Sequence, residues 1–178
     1  MQKHDLATTR RYPDAMYDPN DKRFQQRILN MLWYGSLGGP LVAAVILLAI
    51  PYGPIVEWLP RQALWNVSLV ALAFLLASGR AFTRRRLQPD RVVAGAKPWR
   101  ELEHGDVEGE AFVRVQFASM RTAALLDVIP LVVLVLAILH AQPLLALVDG
   151  VLALVAAALA KPDFVNTLLA IESRLRRG

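Results

Sequence analysis

Two carboxylic acids stand inside long apolar stretches of the sequence, Asp127 and Asp149. An ionised carboxylate at the centre of a lipid bilayer costs about 2.5–3.5 kcal/mol on insertion scales. Such residues therefore turn toward protein or water. The chemistry within their reach is proton or ion binding, a hydrogen bond to a neighbouring helix, or pairing with a charge on another chain. Asp127 is placed to pair with Arg121 or Arg80. Asp149 has no basic residue near it in sequence other than His140, and Gly150 beside it permits close helix approach. Asn66 and Ser68 are the polar side chains expected to share the membrane interior with Asp149. At 1.5 Å per helical residue the two acids differ in height by roughly 10 Å, so a direct carboxyl pair is not expected.

Other reactive constellations are missing from the sequence. With no cysteine there is no disulfide, thiolate metal site or cysteine nucleophile. His4, His104 and His140 are far apart. His104 lies among Glu101, Glu103 and Asp106, a grouping that reads as a solvated acidic loop rather than a metal site. No glycine loop with its lysine is present to cradle phosphate, and no serine has a histidine and an acid at motif spacing. The expectation is a non-catalytic protein without cofactor or metal.

The elements that must position Asp127 and Asp149 are membrane spans. The chain has 178 residues, 55% of them apolar, and its charges sit in blocks separated by long neutral stretches. A bilayer core needs about 20 apolar residues in a helix. Residues 28–50, 64–82, 122–139 and 143–160 meet or approach that length. The expected fold is all-α: four transmembrane helices arranged as two antiparallel hairpins, residues 21–82 and 122–160. Only His140, Ala141 and Gln142 join the last two spans, and both are short, so a re-entrant hairpin is the alternative. Gly35, Gly39 and Gly150 are candidate helix-packing positions, because small residues let backbones approach in lipid. Gly38, Gly39 and Pro40 alternatively mark a kink in the first span. Trp33 and Tyr34 suit one membrane interface and Trp58 the other.

Three segments lie outside the spans. Residues 1–20 read as an extended arm in which Tyr12, Met16 and Tyr17 are candidate partner-docking residues. Asp21 is positioned to cap the helix that leads into the first span. Residues 83–121 form a mixed-charge loop. Its first half is expected to be irregular around Pro89, Gly95 and Pro98, and a helix begins near Asp106 that either lies along the interface or continues into the third span. In residues 161–178, Phe164, Leu168, Ile171 and Leu175 share one helical face, the pattern of an amphipathic helix in the membrane surface, with packing against the 83–121 loop or a neighbouring subunit as the alternative.

Charge orients the whole. The first arm and helix start hold six Lys or Arg, the 80–121 region nine and the tail four, against Arg61 alone in the opposite loops. This asymmetry places both termini on the cytoplasmic side of a multi-pass inner (cytoplasmic) membrane protein. Arg84, Arg85, Arg86, Arg174, Arg176 and Arg177 are expected to meet anionic lipid headgroups. No aromatic residues interleave these blocks as a nucleic-acid groove would require. The expected partners are thus the bilayer, anionic lipids and other membrane-protein subunits. The expected role is a structural or assembly subunit of a multi-protein inner-membrane complex, such as secretion or conjugative transport machinery. The alternative is a small proton- or ion-coupled carrier or channel using Asp149.

Overall fold

The structure is a computed structural model, and it describes residues 21–50, 53–56, 58–95 and 106–177. Every regular element among them is helical: α1 (Lys22–Leu37), α2 (Gly39–Ala49), α3 (Arg61–Arg86), α4 (Pro89–Gly95), α5 (Val107–Leu139), α6 (Pro143–Ala160) and α7 (Phe164–Leu175). By length and composition α3, α5 and α6 can each cross a membrane, and α1 with α2 adds a fourth candidate if the bent pair is one span. The protein is all-helical with three to four candidate spans, consistent with a multi-pass membrane protein.

Aspartates start three of the helices that begin outside the apolar stretches, α1, α5 and α7. Asp21 accepts a hydrogen bond from the Arg23 N–H at 2.9 Å, Asp106 from Gly109 at 2.8 Å and Asp163 from Asn166 at 3.2 Å. Each satisfies a backbone donor that the first helical turn leaves free.

The first apolar stretch is two helices rather than one. α1 and α2 meet at 44° across Gly38. Pro40 causes this locally, since it has no N–H to continue the α1 ladder and its ring favours the first turn of a new helix. α3 runs on through the arginine block to Arg86, where basic residues suit the negative end of the helix dipole. α5 is one helix of 33 residues. At about 50 Å it is longer than a bilayer core of about 30 Å, and its charged residues other than Asp127 fall in its first half while its second half is otherwise apolar.

The spans do not pack as two separate hairpins. α6 packs on α2, α3 and α5, whereas α2 and α3 do not form a packed pair with each other. The reason lies in the side chains of α6. Its buried face carries Ala146, Gly150, Ala153, Ala156, Ala157 and Ala160, which allow several neighbours to come close. Two apolar clusters fill the bundle. One joins Ala44, Leu64, Leu72, Val133, Leu134 and Leu145 toward the interhelical turns. The other joins Leu29, Trp33, Leu75, Leu126, Ala157 and Phe164 toward the basic end.

The basic end is a built layer. α4 is helical where the sequence suggested an irregular stretch, and it packs on α7 and α5. The apolar face of α7 is buried inside protein rather than turned to a membrane surface: Phe164, Leu168 and Ile171 join the second cluster. Ion pairs fasten the same helix, Lys22 to Glu172 at 2.8 Å, Arg174 to Asp90 at 2.9 Å and Arg176 to Glu108 at 3.5 Å. At the opposite end, the N–H groups of Ile55 and Val56 both donate to the Leu139 carbonyl, tying the first loop to the last turn.

Candidate functional site

The buried face of α6 places Asp149 at the centre of the bundle. On this helix the fully buried members of the first cluster stop at Ala146 and those of the second begin at Ala156, and Asp149 and Gly150 fall between them. Asp149 is 0% exposed, and neither carboxyl oxygen has a hydrogen-bond partner among the described residues. Such a group carries an unmet demand, because burying a carboxyl without a partner costs several kcal/mol, about 2–7 for an uncharged polar group.

Gly150 explains how the site is closed. A Cβ built on it would lie 2.5 Å from the Cα of Leu41 and 2.8 Å from its nitrogen, so α2 passes directly over α6 at this position. Only glycine fits there. Gly35 and Gly39 are different: nothing lies within 4 Å of where their Cβ atoms would be, and both are exposed on the outside of the bundle.

Ser68 is buried on α3, and its hydroxyl has no partner among the described residues. Asn66 is exposed on the outside of the same helix, so it is not a partner for Asp149 within this chain. Asp127 is half-buried with one oxygen enclosed and without a hydrogen bond. It pairs with neither Arg121 nor Arg80 among the described residues. The two acids do not hydrogen-bond to each other.

The turn end holds a second polar feature, built around His140 and without a hydrogen bond to Asp149. His140 is buried, its Nδ1 donates to the Leu136 carbonyl at 3.0 Å, and its Nε2 has no partner among the described residues. The Trp58 ring stands 5.8 Å from the imidazole at a 55° tilt. Arg61 and Gln142 line the same open cleft.

The remaining candidates are dispersed. Tyr12, Met16 and Tyr17 lie outside the described residues, as do Glu101, Glu103 and His104. Arg84, Arg85 and Arg86 are exposed, and the Arg86 guanidinium stands 5.3 Å from the centre of the Phe82 ring. Arg174 and Arg176 are engaged with Asp90 and Glu108, and Arg177 donates to the Ser173 carbonyl, so the tail is fastened partly by its own arginines. Trp33 is buried rather than placed at an interface. Its indole N–H donates to the Ala157 carbonyl at 2.9 Å, and its ring meets Phe164 edge to face.

No protein-family model, curated protein or solved structure matches this chain.

Proposed function

We propose that this chain is a structural or assembly subunit of a multi-protein complex in the inner membrane, with both termini on the cytoplasmic side. The observation that carries the reading is the basic-end layer. There α7 is fixed to α1, α4 and α5 by a buried apolar face and by ion pairs, so the helices outside the apolar layer form one firm surface joined to the spans. A fixed surface of this kind suits docking. The outward positions of Gly35, Gly39 and Asn66 support the same reading. Small residues and amides on the outside of a span favour contact with another helix. Secretion or conjugative transport machinery is a setting that such a subunit fits. Purification of the native protein in a gentle detergent is expected to yield a complex containing other membrane proteins. Recovery of only a monomer or homo-oligomer would overturn the proposal.

A second reading rests on one separate observation, the enclosed Asp149 with both oxygens free of partners. Its enclosure keeps another chain from reaching it and leaves a proton or small cation as the ligand. The protein would then be a small proton- or ion-coupled carrier. Unchanged proton and cation flux in liposomes after Asp149→Asn would remove this reading.

A further inference from the structure

We propose that the cleft between the end of α3, α4 and the middle of α5 binds the phosphate headgroup of an anionic phospholipid. Three arginines line it, Arg86, Arg91 and Arg121, together with Phe117, Thr122 and Leu125. The cleft measures about 170 Å³. That is room for a group of several heavy atoms, since one water occupies about 30 Å³ of liquid.

Among the described residues no carboxylate pairs with this charge. None of the three arginines forms an ion pair among the described residues, while Arg114, Arg174, Arg176 and Lys22 all meet carboxylates. Asp90, the acid next to Arg91, is taken by Arg174 on α7. The Phe82 ring beneath the Arg86 guanidinium holds that side chain in place. Guanidinium groups match phosphate oxygens in a planar, two-pronged fashion.

A lipid, rather than a free phosphate, fits what lies below the cleft. Arg121, Leu125, Val128, Val132 and Val135 follow one another at helical spacing along α5, and all five are exposed. A phosphate held at Arg121 could thus lay an acyl chain along an apolar track that starts at the same site. The arginines also stand where the charged part of the chain gives way to the apolar part, the depth of lipid phosphates.

The test uses the full-length chain in a neutral detergent. Phosphatidylglycerol is expected to raise its melting temperature and to remain bound in native mass spectrometry, while phosphatidylcholine does neither. Substituting all three residues, Arg86→Gln, Arg91→Gln and Arg121→Gln, is expected to weaken phosphatidylglycerol binding by about a hundredfold, at roughly fivefold per charge. The double variant Arg23→Gln and Arg27→Gln, at two exposed arginines of α1 outside the cleft, serves as a control for general surface charge and is expected to retain binding. Single Arg121→Gln, checked for unchanged helicity, covers the case in which the triple variant does not fold, and its expected loss is about fivefold. Equal effects of phosphatidylcholine and phosphatidylglycerol would overturn the proposal. So would equal losses in the control and the triple variant, or unchanged binding in Arg121→Gln. Inorganic phosphate that stabilises as well as phosphatidylglycerol would overturn the lipid assignment in favour of a soluble phosphate compound.

Discussion

The Cα of Gly150 faces the backbone of Leu41 so closely that a methyl group on Gly150 would sit 2.5 Å from the Leu41 Cα. Neither helix backbone can yield as a flexible side chain would. Gly150→Ala is therefore expected to push α2 off α6 and to cost about 1–3 kcal/mol, the usual range for overpacking. Gly35→Ala and Gly39→Ala meet open space and are expected to leave the isolated chain unchanged or to stabilise it by about 0.5–1 kcal/mol, as Gly to Ala does in a helix. Thermal melts of the three variants in one detergent decide this. Equal stability of Gly150→Ala and wild type would show that the two helices do not meet at Leu41.

A buried carboxyl without partners predicts an unusual direction. Removing Asp149 in favour of an apolar residue should stabilise the chain, because nothing is lost on the other side of a hydrogen bond that is not made. Asp149→Leu, which keeps a similar shape, is expected to gain about 1–3 kcal/mol, the cost of leaving a buried polar group unsatisfied. Denaturation in mixed micelles measures it. A loss of that size would instead reveal a partner for the carboxyl, either within the bundle or as a bound ion.

Some of this architecture was legible in the sequence, and the gaps have physical causes. The boundaries of α6 follow from Pro143 at its start and Lys161, Pro162 and Asp163 at its end, all plain punctuation. The central place of α6 was harder to see. Hydropathy marks an apolar segment but not how many neighbours it has, and the five alanines between Ala153 and Ala160 are the available signal. Periodicity put Phe164, Leu168 and Ile171 on one face of α7, but it cannot say whether that face meets lipid or protein. Trp33 departs from the expected interface position for a related reason. A tryptophan prefers the interface when its N–H needs water, and here the Ala157 carbonyl takes that role. The arginine cleft joins residues from α3, α4 and α5, and no local spacing announces it.

The Trp33 contact leads to a third prediction. Trp33→Phe keeps most of the apolar packing against Phe164 and removes only the donor to Ala157. The expected loss is about 1–3 kcal/mol, the range for a buried hydrogen bond whose acceptor is left behind. The α1 and α6 backbones should also exchange amide hydrogens faster near Trp33 and Ala157. Hydrogen exchange that is unchanged at both sites, with unchanged stability, would mean that the indole N–H does not hold these helices together.

The turn between α5 and α6 carries a strain that one substitution should relieve. Ala141 has φ 49°, in the left-handed region, where a Cβ is disfavoured. The position is fixed by a helix-terminating pattern: the Gln142 N–H donates to the Ala137 carbonyl at 2.8 Å and the Ala141 N–H to the Ile138 carbonyl at 3.1 Å. Glycine is the residue this pattern favours at the same place, since it reaches positive φ without steric cost. Ala141→Gly is therefore expected to stabilise the hairpin by about 1 kcal/mol, within the cost of about 1–2 that a side chain bears in this region. The gain should be smaller than that full cost, because glycine also loses more freedom on folding. Melting temperature in detergent is the readout, with Gln142→Gly as a comparison at a position of ordinary φ. A fall in stability for Ala141→Gly, matching that of Gln142→Gly, would show that the turn does not hold Ala141 in the left-handed region.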